Sequence, residues 1–198
     1  MQLGYLSDLN NSGSAYQTIF GGTNYETGVV CKSTLPQSAV FGYSYKPNGK
    51  WVVNADVEWM DWSSTEEEKL AYPNETDATR LSVLNSGNPA PRDWNSAWSA
   101  ALGAQYSLSD RLRLRGGYYY HQTPIPADTF ETPLPDADSH SLAAGFGYDF
   151  TKSLTLDFTY SRMFYLNRVI DNSVALGTIN GTYRQQTDLY LATLTYKF

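Results

Sequence analysis

The chain has 198 residues, enough for one domain with a core of its own, and carries a formal net charge of −6 with a pI near 4.8. That acidic balance argues against nucleic acid as a partner. A mean hydropathy of −0.43, with no run near the roughly 18 apolar residues that a membrane helix needs, excludes helical spanning. The single Cys31 excludes an intramolecular disulfide and a multi-cysteine zinc site, and it reads as a small buried or lipid-facing residue.

Met1-Gln2-Leu3-Gly4-Tyr5-Leu6 reads as a strand in mid-course rather than as a charged and then apolar leader, so sequence upstream of it is expected. A polar Gly/Ser/Asn-rich stretch runs to about Asn24, and a weak strand is predicted around Gly28 to Lys32. Leu35-Pro36 opens the next strand, in which Ala39, Phe41, Tyr43 and Tyr45 alternate with Val40, Gly42 and Ser44. Lys46-Pro47-Asn48-Gly49 predicts a tight turn. Beyond it, Trp51, Val53, Ala55, Val57 and Trp59 share one face against Asn54, Asp56 and Glu58. An acidic and then polar insertion follows from Ser63 to Arg92, with a short extended piece expected at Arg80 to Leu84. Its Glu66-Glu67-Glu68 run reads as a solvated charge cluster.

The second half alternates more strictly. Trp98, Ala100, Leu102, Ala104 and Tyr106 oppose Ser99, Ala101, Gly103 and Gln105, and Ser107 to Asp110 turns the chain. Leu112, Leu114, Tyr118 and Tyr120 then oppose Arg111, Arg113, Arg115, Gly117 and Tyr119. A proline-punctuated loop from Gln122 to Asp138 comes next, either a stiff lip over a pore or a device against mispairing. Leu142, Ala144, Phe146, Tyr148 and Phe150 oppose Ser141, Ala143, Gly145, Gly147 and Asp149. After Thr151-Lys152-Ser153, Leu154, Leu156, Phe158 and Tyr160 oppose Thr155, Asp157, Thr159 and Ser161. Loop residues near Asn167 to Thr182 lead to a last strand whose Tyr190, Ala192, Leu194, Tyr196 and Phe198 share a face.

About eight strands of ten to twelve residues, with short turns alternating with long loops, predict an all-β transmembrane antiparallel β-barrel. Aromatics at 15% of residues, 16 of them Tyr, suit membrane interfaces. Parity sends Asp56, Glu58, Arg111, Arg113, Arg115 and Asp157 to the lumen. A one-residue slip would turn the arginines into lipid at roughly 2–4 kcal/mol each, so register is strongly specified. These six either form a charge network or are solvated lumen charges with no specific role. The inward set is too small to fill an eight-stranded barrel, which points to a wider barrel or a plugged one.

Three segments carry a resemblance. They are Ala55-Asp56-Val57-Glu58-Trp59-Met60-Asp61-Trp62-Ser63-Ser64, then Asp93-Trp94-Asn95-Ser96-Ala97-Trp98 running into Ala101 to Tyr106, then Tyr120-His121-Gln122-Thr123-Pro124-Ile125-Pro126 followed by Thr132-Pro133-Leu134-Pro135-Asp136-Ala137-Asp138, a doubled Thr-Pro/Pro-Asp loop. With the Tyr196-Lys197-Phe198 terminus, the chain resembles the outer-membrane long-chain fatty acid transporters of the FadL family. The resemblance implies a fourteen-stranded barrel of which residues 1–198 form a single-domain C-terminal part without the N-terminal hatch. It implies passive uptake of fatty acids or other hydrophobic compounds in the bacterial outer membrane. The partners it implies are those compounds, membrane lipid, and the barrel-assembly machinery reached through the Tyr196 and Phe198 strand. The sequence departs from the family pattern at His121, Glu131 and Ser139, with a loss of positive charge at the proline loop.

Other chemistry is thinly supported. His121 and His140 flank the proline loop and could meet across adjacent strands to bind a metal, but no third metal ligand has recognisable spacing. No nucleophile motif accompanies His121, Asp128 or Ser139, so no enzyme activity and no cofactor are expected. The alternatives to a conduit are a structural or adhesive eight-stranded barrel and, more remotely, a barrel hydrolase.

Overall fold

The computed structural model describes residues 2–8 as backbone, and residues 13–174 and 179–198 in full. Met1, residues 9–12 of the polar stretch and residues 175–178 of the last loop lie outside the described residues. Seven long strands form one antiparallel sheet: β3 (Gln37–Asn48), β4 (Trp51–Asp61), β7 (Ala97–Ser107), β8 (Leu112–His121), β9 (Ser139–Asp149), β10 (Leu154–Tyr165) and β13 (Gln186–Tyr196). Their spatial order, β13-β10-β9-β8-β7-β4-β3, pairs each long strand with the next long strand of the chain, across short turns or across the long loops that hold the other elements. Each holds 10–12 residues, which at about 3.3 Å per residue and a 45° tilt spans a hydrocarbon layer of about 25 Å.

Beside this wall lies a smaller sheet. β1 (Gln2–Asp8) pairs with β2 (Asn24–Lys32), β2 with β5 (Glu67–Ala71), and β5 with β6 (Ala90–Pro91). β11 (Arg168–Ile170) and β12 (Gly181–Tyr183) form a two-stranded ribbon in the last loop.

Two predicted segments are corrected. Residues Ser14–Phe20, inside the polar stretch, form helix α1, ended by Gly21 at φ 77°, where a residue without a Cβ is needed. The expected extended piece is instead helix α2 (Ala78–Leu84). The Asp77 carboxylate caps it by accepting from the Thr79 and Arg80 amides. Phe20, Tyr25, Val83 and Leu84 then pack the two helices together. The predicted turn is also displaced. β3 runs on to Asn48 through a register shift after Tyr45, and the Asn48 Oδ1 accepts from Lys50 and Trp51.

Register assigns the faces. One row across the sheet reads Trp51, Tyr106, Leu114, Phe146, Phe158, Ala192, and another Tyr43, Ala55, Leu102, Tyr118, Leu142. This face is apolar over its whole height and open: Phe41 is 75% exposed and Leu194 67%. A continuous exposed apolar face of this width is a lipid contact, not a soluble surface. Aromatic pairs mark its short-turn margin, with Trp51 and Tyr106 rings 4.7 Å apart and Tyr196 and Phe198 rings 5.1 Å apart. Toward the loops the margin turns polar: the Tyr160 hydroxyl donates to Asp188, and Tyr118 pairs with His140.

The tightest burial is not between the strands. Phe130, Ile170 and Ser139 are the most enclosed side chains, all at the loop end of the sheet.

Candidate functional site

The face opposite the lipid carries the polar residues, arranged in tiers along the strands. Nearest the short turns, Arg113 of β8 donates to both oxygens of Asp149 on β9, at 2.6 and 2.9 Å, and Asp149 also accepts from Thr155 at 2.7 Å. Arg115 reaches farther, across β9 to Asp157 of β10 at 2.5 Å, while its Nε donates to Gln105 of β7. Four strands are cross-linked in this way.

Glycines make that reach possible. A Cβ on Gly147 would sit 2.5 Å from Asp157 Oδ1 and 3.2–3.3 Å from the two guanidinium groups. The small inward residues of β9 are therefore covered by arginine side chains lying flat on the sheet. This is the physical reason for part of the smallness read in the sequence.

Arg113, Arg115 and Asp157 thus come together, joined by Asp149, Gln105 and Thr155, which the proposed charge set did not include. Alternation had placed Asp149 and Gln105 on the inward face, so parity carried the missing signal. Glu58 stands apart, accepting from Ser99 at 3.3 Å. Asp56 lies among small residues opposite Gly42, and Arg111 lies in the short turn before β8; neither forms an ion pair among the described residues.

Above the charged tier is a belt of small side chains. Ala101, Gly103, Gly117, Ser141, Ala143 and Ser161 line a cleft of about 340 Å³ on the inner face, bordered by Asn54, Asp56 and Tyr119, and the hydroxyls of Ser141 and Ser161 bond at 2.8 Å. Cavities for small molecules are commonly of this order, built from apolar walls and a few polar groups.

The loop end closes over the belt. The three segments singled out in the sequence meet there. Trp62 packs edge-on against Trp94 at 5.0 Å, and Ser63 and Ser96 both donate to Asp61. At the base of the proline loop, Thr123 donates its hydroxyl to Asp136 at 2.7 Å and its amide to Asp138 at 2.8 Å. Burial pushes the Asp136 carboxyl up, but hydrogen bonds from His121 and Thr123 outweigh it and hold it below the ordinary value.

Two arginines missed by alternation tie the loops together. Arg92, 8% exposed, bridges Glu68 of β5 and Glu131 of the proline loop, each at 2.6 Å. Burial acts to lower its pKa, and the two carboxylates more than reverse that. Arg168 of β11 donates to the Ile125 and Asp136 carbonyls and lies over the Phe130 ring, 5.0 Å from its centre. Glu131 and Arg168 are loop residues, where no periodicity points to a partner. A half-open groove of about 510 Å³ lies between these loops, lined by Pro89, Ala90, Thr129, Pro133 and Val174 among others.

The two histidines do not meet. His121 pairs in register with Ser139, and His140 with Tyr120, so the imidazoles leave opposite faces of the sheet. His121 contacts Asp136 at 3.4 Å, whereas the His140 Nδ1 lies 2.6 Å from the Tyr118 hydroxyl on the lipid face. Among the described residues, no three metal-ligating side chains cluster.

Residues 4–198 match the family described as outer membrane protein transport protein (OMPP1/FadL/TodX). The long-chain fatty acid transport protein of Escherichia coli (strain K12) is 27% identical over 163 residues, 80% of this chain and 34% of that protein. Alkane uptake protein A of Marinobacter nauticus is 29% identical over 126 residues, 62% of this chain and 26% of that protein. The chain spans about a third of the length of such curated relatives. Among solved structures, a Pseudomonas aeruginosa FadL homologue superposes with a TM-score of 0.72 at 21% identity, over 98% of this chain and 46% of that one. The Pseudomonas putida toluene transporter TodX gives 0.59 at 19% identity, over 88% of this chain and 38% of that one. A seven-stranded wall with a lipid face, an inner polar face and this family match is part of a larger barrel of the bacterial outer membrane, and the chain belongs to the OMPP1/FadL/TodX family of outer membrane transport proteins.

Proposed function

We propose that this chain forms part of the wall of a conduit through which fatty acids or other hydrophobic small molecules diffuse passively across the outer membrane. One observation carries the reading: a belt of small residues lines the inner face between a cross-linked charged tier and a packed loop cap. Side chains of that size leave room beside the wall, and diffusion down a gradient needs no catalytic group. Several relatives are named for transport or uptake, which supports a role without enzyme chemistry. The sheet does not close on itself among the described residues, since β3 and β13 are its two edges. That favours a wider barrel, with residues 1–198 as its C-terminal part, over a small adhesive barrel.

The Arg113 and Arg115 pairs act as struts that keep the wall in register. The apolar outer face meets membrane lipid, and the β13 strand ending in Tyr196 and Phe198 is what the assembly machinery would engage. The test is uptake of a fluorescent long-chain fatty acid into proteoliposomes holding the protein. Entry faster than through protein-free vesicles supports a conduit; equal entry refutes it.

A further inference from the structure

The lipid face carries a charged pair where its neighbours are apolar. The row that reads Tyr43, Ala55, Leu102, Tyr118 and Leu142 continues in register into Arg162 of β10 and Asp188 of β13. Arg162 stands three residues before the loop end of β10, about 10 Å along the strand. Its guanidinium lies 5.5 Å from the centre of the Phe164 ring, two residues nearer the loops. Asp188 does not satisfy it. The Asp188 oxygens accept from the Tyr160 hydroxyl at 2.7 Å and from the Gln186 amide at 3.4 Å, while the Arg162 Nε stays 3.8 Å away. That Nε is buried without a hydrogen-bond partner, and none of the five guanidinium N–H groups finds an acceptor among the described residues. The side chain is 40% exposed, so the Nη groups are the ones open to a ligand. An arginine on a lipid face is tolerated near the headgroups because its long stem reaches up to them, and its bare donors then need an acceptor from outside the chain.

A second donor stands beside it. His140 of β9 pairs in register with Phe164, which makes it a diagonal neighbour of Arg162, roughly 7–8 Å away. Its ring lies 5.9 and 5.2 Å from the rings of Tyr118 and Tyr120, and its Nδ1 is 2.6 Å from the Tyr118 hydroxyl. With that hydroxyl donating, the ring hydrogen sits on Nε2, which has no partner among the described residues. We infer that Arg162 and His140 bind the phosphate of a membrane lipid headgroup, in the leaflet that borders the long loops. The inference rests on the lipid contact of the outer face proposed above, and not on the conduit. A guanidinium offers a phosphate two parallel N–H donors with its charge, and the imidazole adds a third from the next strand. Tyr118 positions the imidazole. Leu142, between the two in its row and 56% exposed, leaves the acyl chains an apolar surface directly below. The net charge of −6 repels anions from the chain as a whole, so a preference for an anionic lipid has to come from a local cation.

The experiment titrates a chain-labelled fluorescent phosphatidic acid, and the diacylglycerol with the same chains, onto the protein in neutral detergent micelles. Phosphatidic acid is expected to bind about ten-fold tighter, the low end for a hydrogen bond to a charged group. Arg162→Gln leaves Asp188 its Tyr160 and Gln186 donors and is expected to erase the preference while diacylglycerol binding stays constant. His140→Phe keeps a ring beside Tyr118 and Tyr120 and should reduce the preference about two- to ten-fold, which keeps the test valid if the arginine variant folds poorly. Equal affinity for the two lipids, or a preference that survives Arg162→Gln, overturns the site. Displacement by inorganic phosphate as readily as by unlabelled phosphatidic acid assigns a free anion instead and also overturns it. So does a wild-type dimer that Arg162→Gln converts to a monomer, since the patch would then belong to a second copy of the chain. Alkaline extraction of the vesicle-inserted protein tests the lipid contact separately: protein stripped from the bilayer refutes that reading, whereas protein that stays without a phosphate preference refutes the site alone.

Discussion

Gly145 offers the sharpest test of how the wall is packed. A Cβ there would lie 2.5 Å from the Phe158 carbonyl oxygen and 2.9 Å from the Thr159 hydroxyl, with the Thr159 Cα at 3.3 Å. Ordinary carbon-to-oxygen contacts begin near 3.3 Å, so Gly145→Ala demands a shift of about 0.8 Å. The obstructing atom is backbone of β10, and moving it strains the ladder that joins β9 to β10 in register from Thr155 to Tyr165. Overpacking of this kind costs about 1–3 kcal/mol, roughly a five-fold to hundred-fold loss in the folding equilibrium. Gly103→Ala is the matched control: its Cβ would meet nothing closer than the Gly116 carbonyl at 3.9 Å. Relief of unfolded-chain entropy should leave that variant unchanged or up to about 1 kcal/mol more stable. Urea unfolding from lipid vesicles, followed by tryptophan fluorescence, reads both. Equal midpoints for the two variants would refute the close-approach argument.

Other expectations follow from the same geometry. Arg113→Gln combined with Arg115→Gln removes both struts, so the folded species should lose its resistance to heating in detergent; unchanged heat resistance would mean that the inner charges are idle. Asp77→Ala deletes the cap of α2 at about 1 kcal/mol, seen as faster amide exchange at Thr79 and Arg80 with the seven-stranded sheet unaffected. Arg168→Ala removes the donor to the Ile125 and Asp136 carbonyls and should expose the 122–138 loop to proteases without changing strand content. The Asp136 carboxyl titrates below its unfolded value, so its stabilising effect is complete above the ordinary carboxylate range near 3.9 and lost as pH falls through the folded value. Loop proteolysis should therefore stay low from neutral pH down to about 4 and rise only under stronger acid; a rise already at pH 6 would contradict the assignment.

Alternation by itself determined the long antiparallel strands of the wall, seven where about eight were expected, with its lipid and inner faces and its short and long ends, because a period of two leaves one register that keeps arginines out of lipid. The resemblance lay in Asp61-Trp62-Ser63, Asp93-Trp94 and the Thr-Pro/Pro-Asp loop, and these are the residues that pack against one another at the loop end. Only the tertiary structure decided what the polar residues do. Which carboxylate takes Arg115 depends on a side chain crossing an intervening strand over a glycine, a diagonal that no sequence spacing encodes. Helices α1 and α2 escaped the reading because each is a seven-residue segment, too short to show a 3.6-residue period and held by a cap and by mutual packing. The pairings of Arg92 and Arg168 join loops far apart in the chain, so they exist only once the strands have set the loops side by side.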